Sequence, residues 1–259
     1  MTSEKNDTRE IKSVRVTFRI FQLLIENDRM GVSELASELD YSKPSIYYYL
    51  QTLKRMRYVN KEDNKYYPSL RMLNIGGFAL SRHPIYRIAK NPVKELAEKT
   101  GYNSILLVEE QGKAFVISEY NRNRSEIANR LGSEQYLHTT GPGKAILAYL
   151  STERREDVIS RHGLPQLTSQ TITDESVLYS EIESILDMRF AVGDAERRNG
   201  YRDIGVPIEK NDQVIGALGI SGTLSNLSDP RPSMKAHQYI ENEIDVLRET
   251  ATQIEAKLE

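Results

Sequence analysis

The 259-residue chain contains no cysteine, which removes disulfide frameworks, thiol nucleophiles and thiolate metal sites from consideration. That absence fits a reducing cytoplasm, the compartment expected for this protein. Histidine is scarce. His83, His138, His162 and His237 are scattered without an i, i+4 pair, so no metal site is expected. The first thirty residues are polar and charged and hold no apolar core of a secretory leader. No stretch approaches the ~20 uninterrupted apolar residues of a membrane span, so no membrane partner is expected. Internal repeats and low-complexity tracts are also missing. What remains is ordinary for a soluble globular protein, with 28% charged and 39% hydrophobic residues. The length accommodates two domains, one small and one near the usual size.

A net charge of −2 hides an asymmetry. Residues 1–70 carry 12 basic and 10 acidic side chains, about +2, leaving the remainder at −4. Between Lys43 and Lys65 six basic residues face two acidic ones, a local +4. A positive face of this kind is what phosphate contact requires. Seven of the 15 tyrosines fall between Tyr41 and Tyr67, and three in a row (Tyr47, Tyr48, Tyr49) cannot all point inward from a helix.

The segment from Gly31 to Tyr67 reads as a winged helix. Leu35 and Leu39 form the apolar stripe of a short helix, with Ser33 expected as its N-cap, and Asp40-Tyr41 makes a turn. Ser42 then caps a second helix with Pro44 in its first turn. Ile46, Leu50 and Leu53 face inward, while Lys43, Ser45, Tyr47, Tyr48 and Gln51 face outward toward a major groove. Tyr58-Val59-Asn60 and Lys65-Tyr66-Tyr67 flank a polar turn as a hairpin wing. The residues assigned to DNA are Ser33, Lys43, Ser45, Tyr47, Tyr48, Gln51, Lys54, Lys61 and Lys65. Charged helix faces are usually only solvated, but the local +4 and the tyrosine cluster argue for double-stranded DNA.

Around this block the pattern predicts a leading helix over about 11–27, with Val14, Phe18, Phe21, Leu24 and Ile25 packed on the winged helix. A second amphipathic helix follows over Leu70–Leu80. Its Gly76-Gly77 pair costs about 1 kcal/mol per glycine, which close approach of another helix, from a second subunit, would explain. A helix over Tyr86–Lys99 stops at Gly101. The period then shifts to strands at 104–108, 114–118, 135–138, 203–208 and 214–221. Between them lie helices at 143–150, 151–162 and 176–189, and a terminal helix at about 233–257 carries Ile240, Ile244, Leu247, Ala251 and Ile254. Antiparallel strands with helices outside give an α+β domain.

Three segments resemble the isocitrate lyase regulator (IclR) family of transcription factors. They are GVSELASELDYSKPSIYYYLQTLKRMRYVNKEDNKYYPSL at the N-terminus, GSEQYLHTTGPGKAILAYL (132–150) and RFAVGDAERRNGYRDIGVPIEKNDQVIGALGISG (189–222). In the last, Glu196, Gly200, Pro207 and Ser221-Gly222 stand in register with the family's closing signature. The resemblance implies a winged helix-turn-helix at 1–68, a linker and dimerisation helix at 69–83, and a GAF-like effector-binding domain at 84–259. It implies a homodimer or homotetramer that represses or activates an operon under control of a small molecule. The positions matching family effector pockets are Thr140, Gly141, Pro142, Tyr201, Asp203, Gly219 and Ser221. Asp203 stands where many members have Cys, Gly193 replaces an acidic residue, and Gly219 replaces a common Ser. Tyr47 and Tyr48 stand where a typical member has a basic pair.

The residues themselves point to the same place. Gly141-Pro142-Gly143 exposes backbone N–H groups ahead of a helix, a setting that attracts anions, and an ionised Asp203 opposes that attraction. This favours a hydroxylated ligand, or an acid whose carboxylate faces the helix and whose hydroxyl faces Asp203, such as a sugar acid. A nucleotide phosphate loop is excluded, because His138 replaces the required glycine and Ala145 the Ser or Thr after Lys144. Lys144 is read as a surface or helix-start residue, His138 as structural, and Glu196 as part of a charged loop positioning a lid. No nucleophile–base pair emerges, so no enzyme activity, catalytic residue or cofactor is assigned. The rival to a regulator is an enzyme or metabolite-binding protein with a vestigial DNA module. In the regulator, effector would act through the linker helix on the spacing of two recognition helices.

Overall fold

The computed structural model describes residues 10–121, 131–227 and 241–258. The chain divides into two compact units, Met1–Ala79 and Leu80–Glu259.

The N-terminal unit runs α1 (Lys12–Glu26), β1 (Met30–Gly31), α2 (Val32–Leu39), α3 (Lys43–Arg55), β2 (Val59–Glu62) and β3 (Lys65–Pro68). Its antiparallel sheet has the order β1-β3-β2. Ile20, Leu24, Leu35, Ile46, Leu50 and the ring of Tyr66 fill one core. Ser42 caps α3 as expected, its hydroxyl accepting from Ser45 N at 3.3 Å, with Pro44 in the first turn. Asp63 and Asn64 both take positive φ (47° and 65°) in a two-residue turn between β2 and β3, a conformation that suits the twist of a hairpin.

Two expectations fail here. Ser33 does not cap α2: the helix starts two residues earlier, at Val32, after Gly31, whose N–H donates to the Glu34 carboxylate at 2.6 Å. A longer acidic side chain reaching back does the work assigned to the serine. In α1 the core face is Val16, Ile20, Phe21, Leu23 and Leu24, while Val14, Phe18 and Ile25 are exposed. The helix is apolar on more than one side, and periodicity alone does not say which side the core takes. Strand β1, two residues long, is too short to carry a period.

Beyond the wing, α4 (Met72–Ser81) has no buried residue. Leu73, Ile75 and Phe78 are exposed, and nothing described lies within 4 Å of a Cβ at Gly76 or Gly77. The close approach expected at the glycine pair is therefore not made within the described chain.

The C-terminal unit begins with α5 (Pro84–Thr100), ended by Gly101 at φ 79°. It continues through β4 (Asn103–Glu110), β5 (Lys113–Tyr120), β6 (Glu134–Tyr136), a 3-10 turn (Leu137–Thr139) and α6 (Gly141–Tyr149). Then come α7 (Thr152–His162), α8 (Glu175–Met188), β7 (Ala191–Asp194), β8 (Tyr201–Lys210), β9 (Gln213–Thr223) and α9 (Glu241–Glu255). Six antiparallel strands take the order β6-β5-β4-β9-β8-β7. Alternation along the strands separates two cores. Leu106, Val108, Ile204, Val206, Leu218 and Ile220 pack with residues of α5 and α9. Ile105, Leu107, Val116, Ala191 and Ala217 pack with residues of α6, α7 and α8. Leu137 and His138, expected in a strand, form the 3-10 turn instead, and β7 was not expected because its four residues include Gly193 and Asp194. The start of the expected terminal helix at 233–240, with Ile240, lies outside the described residues.

Helix α6 is buried from Gly141 to Ala148, and its first turn lies directly on the sheet. Gly205 and Gly219 are cross-strand partners on β8 and β9. A Cβ on Gly205 would overlap Pro142 N and Cα, and one on Gly219 would lie 2.5 Å from Pro142 Cγ. Two glycines thus form a shelf for one proline. Gly205→Ala is expected to lower stability by at least the ~1–3 kcal/mol typical of overpacking, read as a shift of the urea-unfolding midpoint.

Candidate functional site

On α3 the inward line of Ile46, Leu50 and Leu53 leaves Pro44, Tyr48 and Arg55 pointing most directly away from the core. Tyr48 is 70% and Tyr47 47% exposed. Lys43, Lys54, Lys61, Lys65 and Ser33 are also exposed. The wing basics sit over rings or carboxylates: Lys61 Nζ lies 5.7 Å from the Tyr66 ring centre and Lys65 Nζ 3.7 Å from Glu34. Two of the assigned residues are engaged inside the unit. Ser45 Oγ is 2.8 Å from Ser42 Oγ, and half-buried Gln51 donates through Nε2 to the Tyr66 hydroxyl at 3.2 Å. Arg55 was absent from the sequence-derived set, though its place on the outward line follows from helical spacing.

In the C-terminal unit a cavity of about 60 Å³ opens at the N-terminus of α6. Of the seven expected residues, Thr140, Pro142, Tyr201, Asp203 and Ser221 line it. Gly141 and Gly219 do not. Gly219 lies beneath Pro142, and Gly141 donates its N–H to Asp203 Oδ1. Register explains the clustering, since Asn103 pairs with Ser221, Ser221 with Asp203, and Asp203 with Gly193 across four strands. The remaining wall is Asn103, Ile105, Leu107, Gln135, Arg197 and Arg198. None of these was expected; the strand alternation that places Ile105 and Leu107 on the α6 face was readable, the long-range pairing was not.

Asp203 changes the electrostatics that the sequence suggested. Its own carboxylate already occupies the first N–H of α6, so the helix end is not open to a ligand anion as expected. At Gly193 a Cβ would lie 2.5 Å from Asp203 Oδ1, so the glycine makes room for the carboxylate. Burial pushes the Asp203 carboxyl up from 3.8 to about 7, helped by nearby Glu196 and opposed by the Gly141 hydrogen bond, Lys144 and Arg197.

Lys144 is the largest correction. Rather than lying on the surface it is fully buried, with Nζ 2.7 Å from Glu196 Oε1 and 2.9 Å from Glu181 Oε1. Glu196 is itself buried, and burial raises its carboxyl despite the facing ammonium. Thr168 Oγ1 donates to the Ala195 carbonyl at 2.7 Å and Thr171 Oγ1 to the Glu196 carbonyl at 2.5 Å. The loop that brings Arg197 and Arg198 to the cavity is therefore anchored at its base, where a charged lid loop was expected. Thr140 Oγ1 accepts from Gly143 N at 3.1 Å and caps α6. His138 is buried, with Nε2 3.2 Å from the Pro165 carbonyl, and burial lowers its pKa.

Residues 13–63 match the IclR helix-turn-helix domain, and residues 77–256 match the bacterial transcriptional regulator IclR C-terminal domain. The chain belongs to the IclR family. It is a ligand-responsive, DNA-binding transcriptional regulator of the IclR type. Among relatives, the probable HTH-type transcriptional regulator ArcR of Halobacterium salinarum is 27% identical over 99% of this chain and 97% of its own length. The HTH-type transcriptional regulator KdgR of Dickeya chrysanthemi is 26% identical over 89% of this chain and 75% of its own. The crystal structure of Thermotoga maritima IclR superposes with a TM-score of 0.76 at 27% identity, covering 96% of this chain and 99% of that one. Both domains of the IclR architecture are thus present in family order, the winged helix first and the sheet-and-helix effector domain second.

Two measurements test the charge network. Lys144→Met leaves Glu196 buried without its cation and is expected to cost about 3–5 kcal/mol. Adding Glu196→Gln should recover part of that loss in urea unfolding. Asp203 holds a proton more tightly in the fold than in the unfolded chain, so its penalty grows as pH rises from about 4 to about 7. Melting temperatures should therefore fall over that range more steeply in the native protein than in Asp203→Asn, and parallel curves would contradict the raised pKa.

Proposed function

We propose that the protein controls a catabolic operon in response to a small hydroxylated organic acid bound at the α6 N-terminus. It acts in the cytoplasm as a homodimer or homotetramer, with no catalytic role. The observation that carries this reading is the cavity itself. Its lining combines neutral hydrogen-bonding groups (Asn103, Gln135, Thr140, Tyr201, Ser221) with Arg197 and Arg198, in a chain that also bears a winged helix. The guanidinium groups suit the ligand's carboxylate, and the Asp203 carboxyl on the cavity wall suits its hydroxyl. This reverses the orientation expected from the sequence, because Asp203 already fills the helix end. Segments 1–68, 69–83 and 84–259 serve as DNA reader, linker and effector domain.

Assembly is supported by exposed apolar surface. At the start of α1 and along it Ile11, Val14 and Phe18 are exposed, and on α4 Leu73, Ile75 and Phe78. Surfaces of this kind on a regulator suit a second copy of the chain. Effector then shifts the population between DNA-binding and non-binding forms, by no more than its difference in affinity for the two.

Genome-wide occupancy of the tagged protein, repeated with and without candidate organic acids as carbon source, tests the proposal. Sharp sites beside catabolic operons that change with one acid support it; sites indifferent to every acid would remove the effector assignment. Lys43→Ala is expected to weaken binding evenly across sequences and to reduce the salt slope by about one. Phe78→Asp should lower the oligomeric state in analytical ultracentrifugation, and an unchanged mass would take α4 out of the interface.

A further inference from the structure

The outward face of α3 presents an unusual choice of readers. A glutamine recognises adenine by offering its amide N–H and carbonyl together, and a serine hydroxyl can serve a base edge. Here Gln51 donates its amide to Tyr66 and Ser45 shares a hydrogen bond with Ser42. Both polar candidates near the middle of the face are engaged inside the protein. What projects instead is a pair of aromatic rings. Tyr47 and Tyr48 meet edge to face, centroids 6.1 Å apart and planes at 69°, so each limits the other's motion. Cations frame them at the two ends of the helix, Lys43 in the first turn and Lys54 and Arg55 in the last, where phosphates are met.

An apolar surface brought into the major groove has one chemical partner there. Only thymine carries a methyl group on its groove edge, and burying a methyl against a ring is favourable without any hydrogen bond. We infer that Tyr47 and Tyr48 read thymine methyl groups, so that each operator half-site places thymines opposite the second turn of α3. The rings carry the recognition; the hydroxyls are secondary. The inference rests on DNA binding by the winged helix and adds to it the kind of base that is read.

Selection of the full-length protein on a randomised duplex library, followed by substitution of deoxyuridine for individual thymidines, tests this directly, because that exchange removes the methyl and nothing else. Loss of about fourfold in affinity per contacted methyl is expected. Tyr48→Ala and Tyr47→Ala should each lose the difference between thymidine and deoxyuridine at the one position that ring contacts, and the double variant at both, whereas Tyr48→Phe should keep the difference. Both positions are largely exposed, so the variants fold. Equal affinity of the native protein for both duplexes, or guanine selected at those positions, overturns the inference. A uniform loss in Tyr48→Phe without any thymidine preference would also overturn it, by assigning the hydroxyl to a phosphate. In each of those outcomes sequence-specific binding itself remains, so the regulator stands and only the mode of reading falls.

Discussion

An ammonium taken fully out of water costs several kcal/mol unless anions meet it, and in the C-terminal unit that demand is placed at Lys144. Two carboxylates answer it from different parts of the chain, Glu181 on α8 and Glu196 in the loop after β7. The pairing ties α6 to α8 and holds the base of the loop that carries Arg197 and Arg198. Pro142, two residues earlier, sits on the shelf made by Gly205 and Gly219. With α6 held from both sides, the position of its N-terminus is set, and the cavity is the space left between that helix end, four strands and the anchored loop.

The same arrangement decides the charge of the cavity. A helix end exposing N–H groups would draw an anion from solution, but Asp203 supplies one from within the chain. The carboxylate is accommodated because Gly193, its partner on β7, has no side chain. Positive charge on the cavity wall therefore comes from the arginines of the loop. The filling of the helix end follows from a contact between residues 62 positions apart, not from the local character of the glycine-rich turn.

In the N-terminal unit the sheet and the recognition helix share one residue. Tyr66 is buried in the core as a ring while its hydroxyl accepts from Gln51. Wing and helix are thereby locked together, and the outward face of α3 is left to Tyr47, Tyr48 and the basic residues. The exposed apolar surfaces of α1 and α4 belong to the same logic of incomplete burial. They read as core in the sequence because periodicity registers an apolar stripe without registering what covers it.

Local chemistry was legible from the sequence wherever a residue acts through its near neighbours. Ser42 and Pro44 starting α3, the inward line Ile46, Leu50, Leu53, the Gly101 stop and the strand pairs around tight turns all depend on backbone geometry within a few residues. Five of the eleven cavity residues were also reachable, through motifs held in family register. Tertiary structure alone decided the burial of Lys144 and Glu196, the filling of the helix end by Asp203, the arginine wall and the side of α1 that faces the core. Each of these is a long-range pairing, and a charged residue looks the same in sequence whether water or a distant carboxylate solvates it.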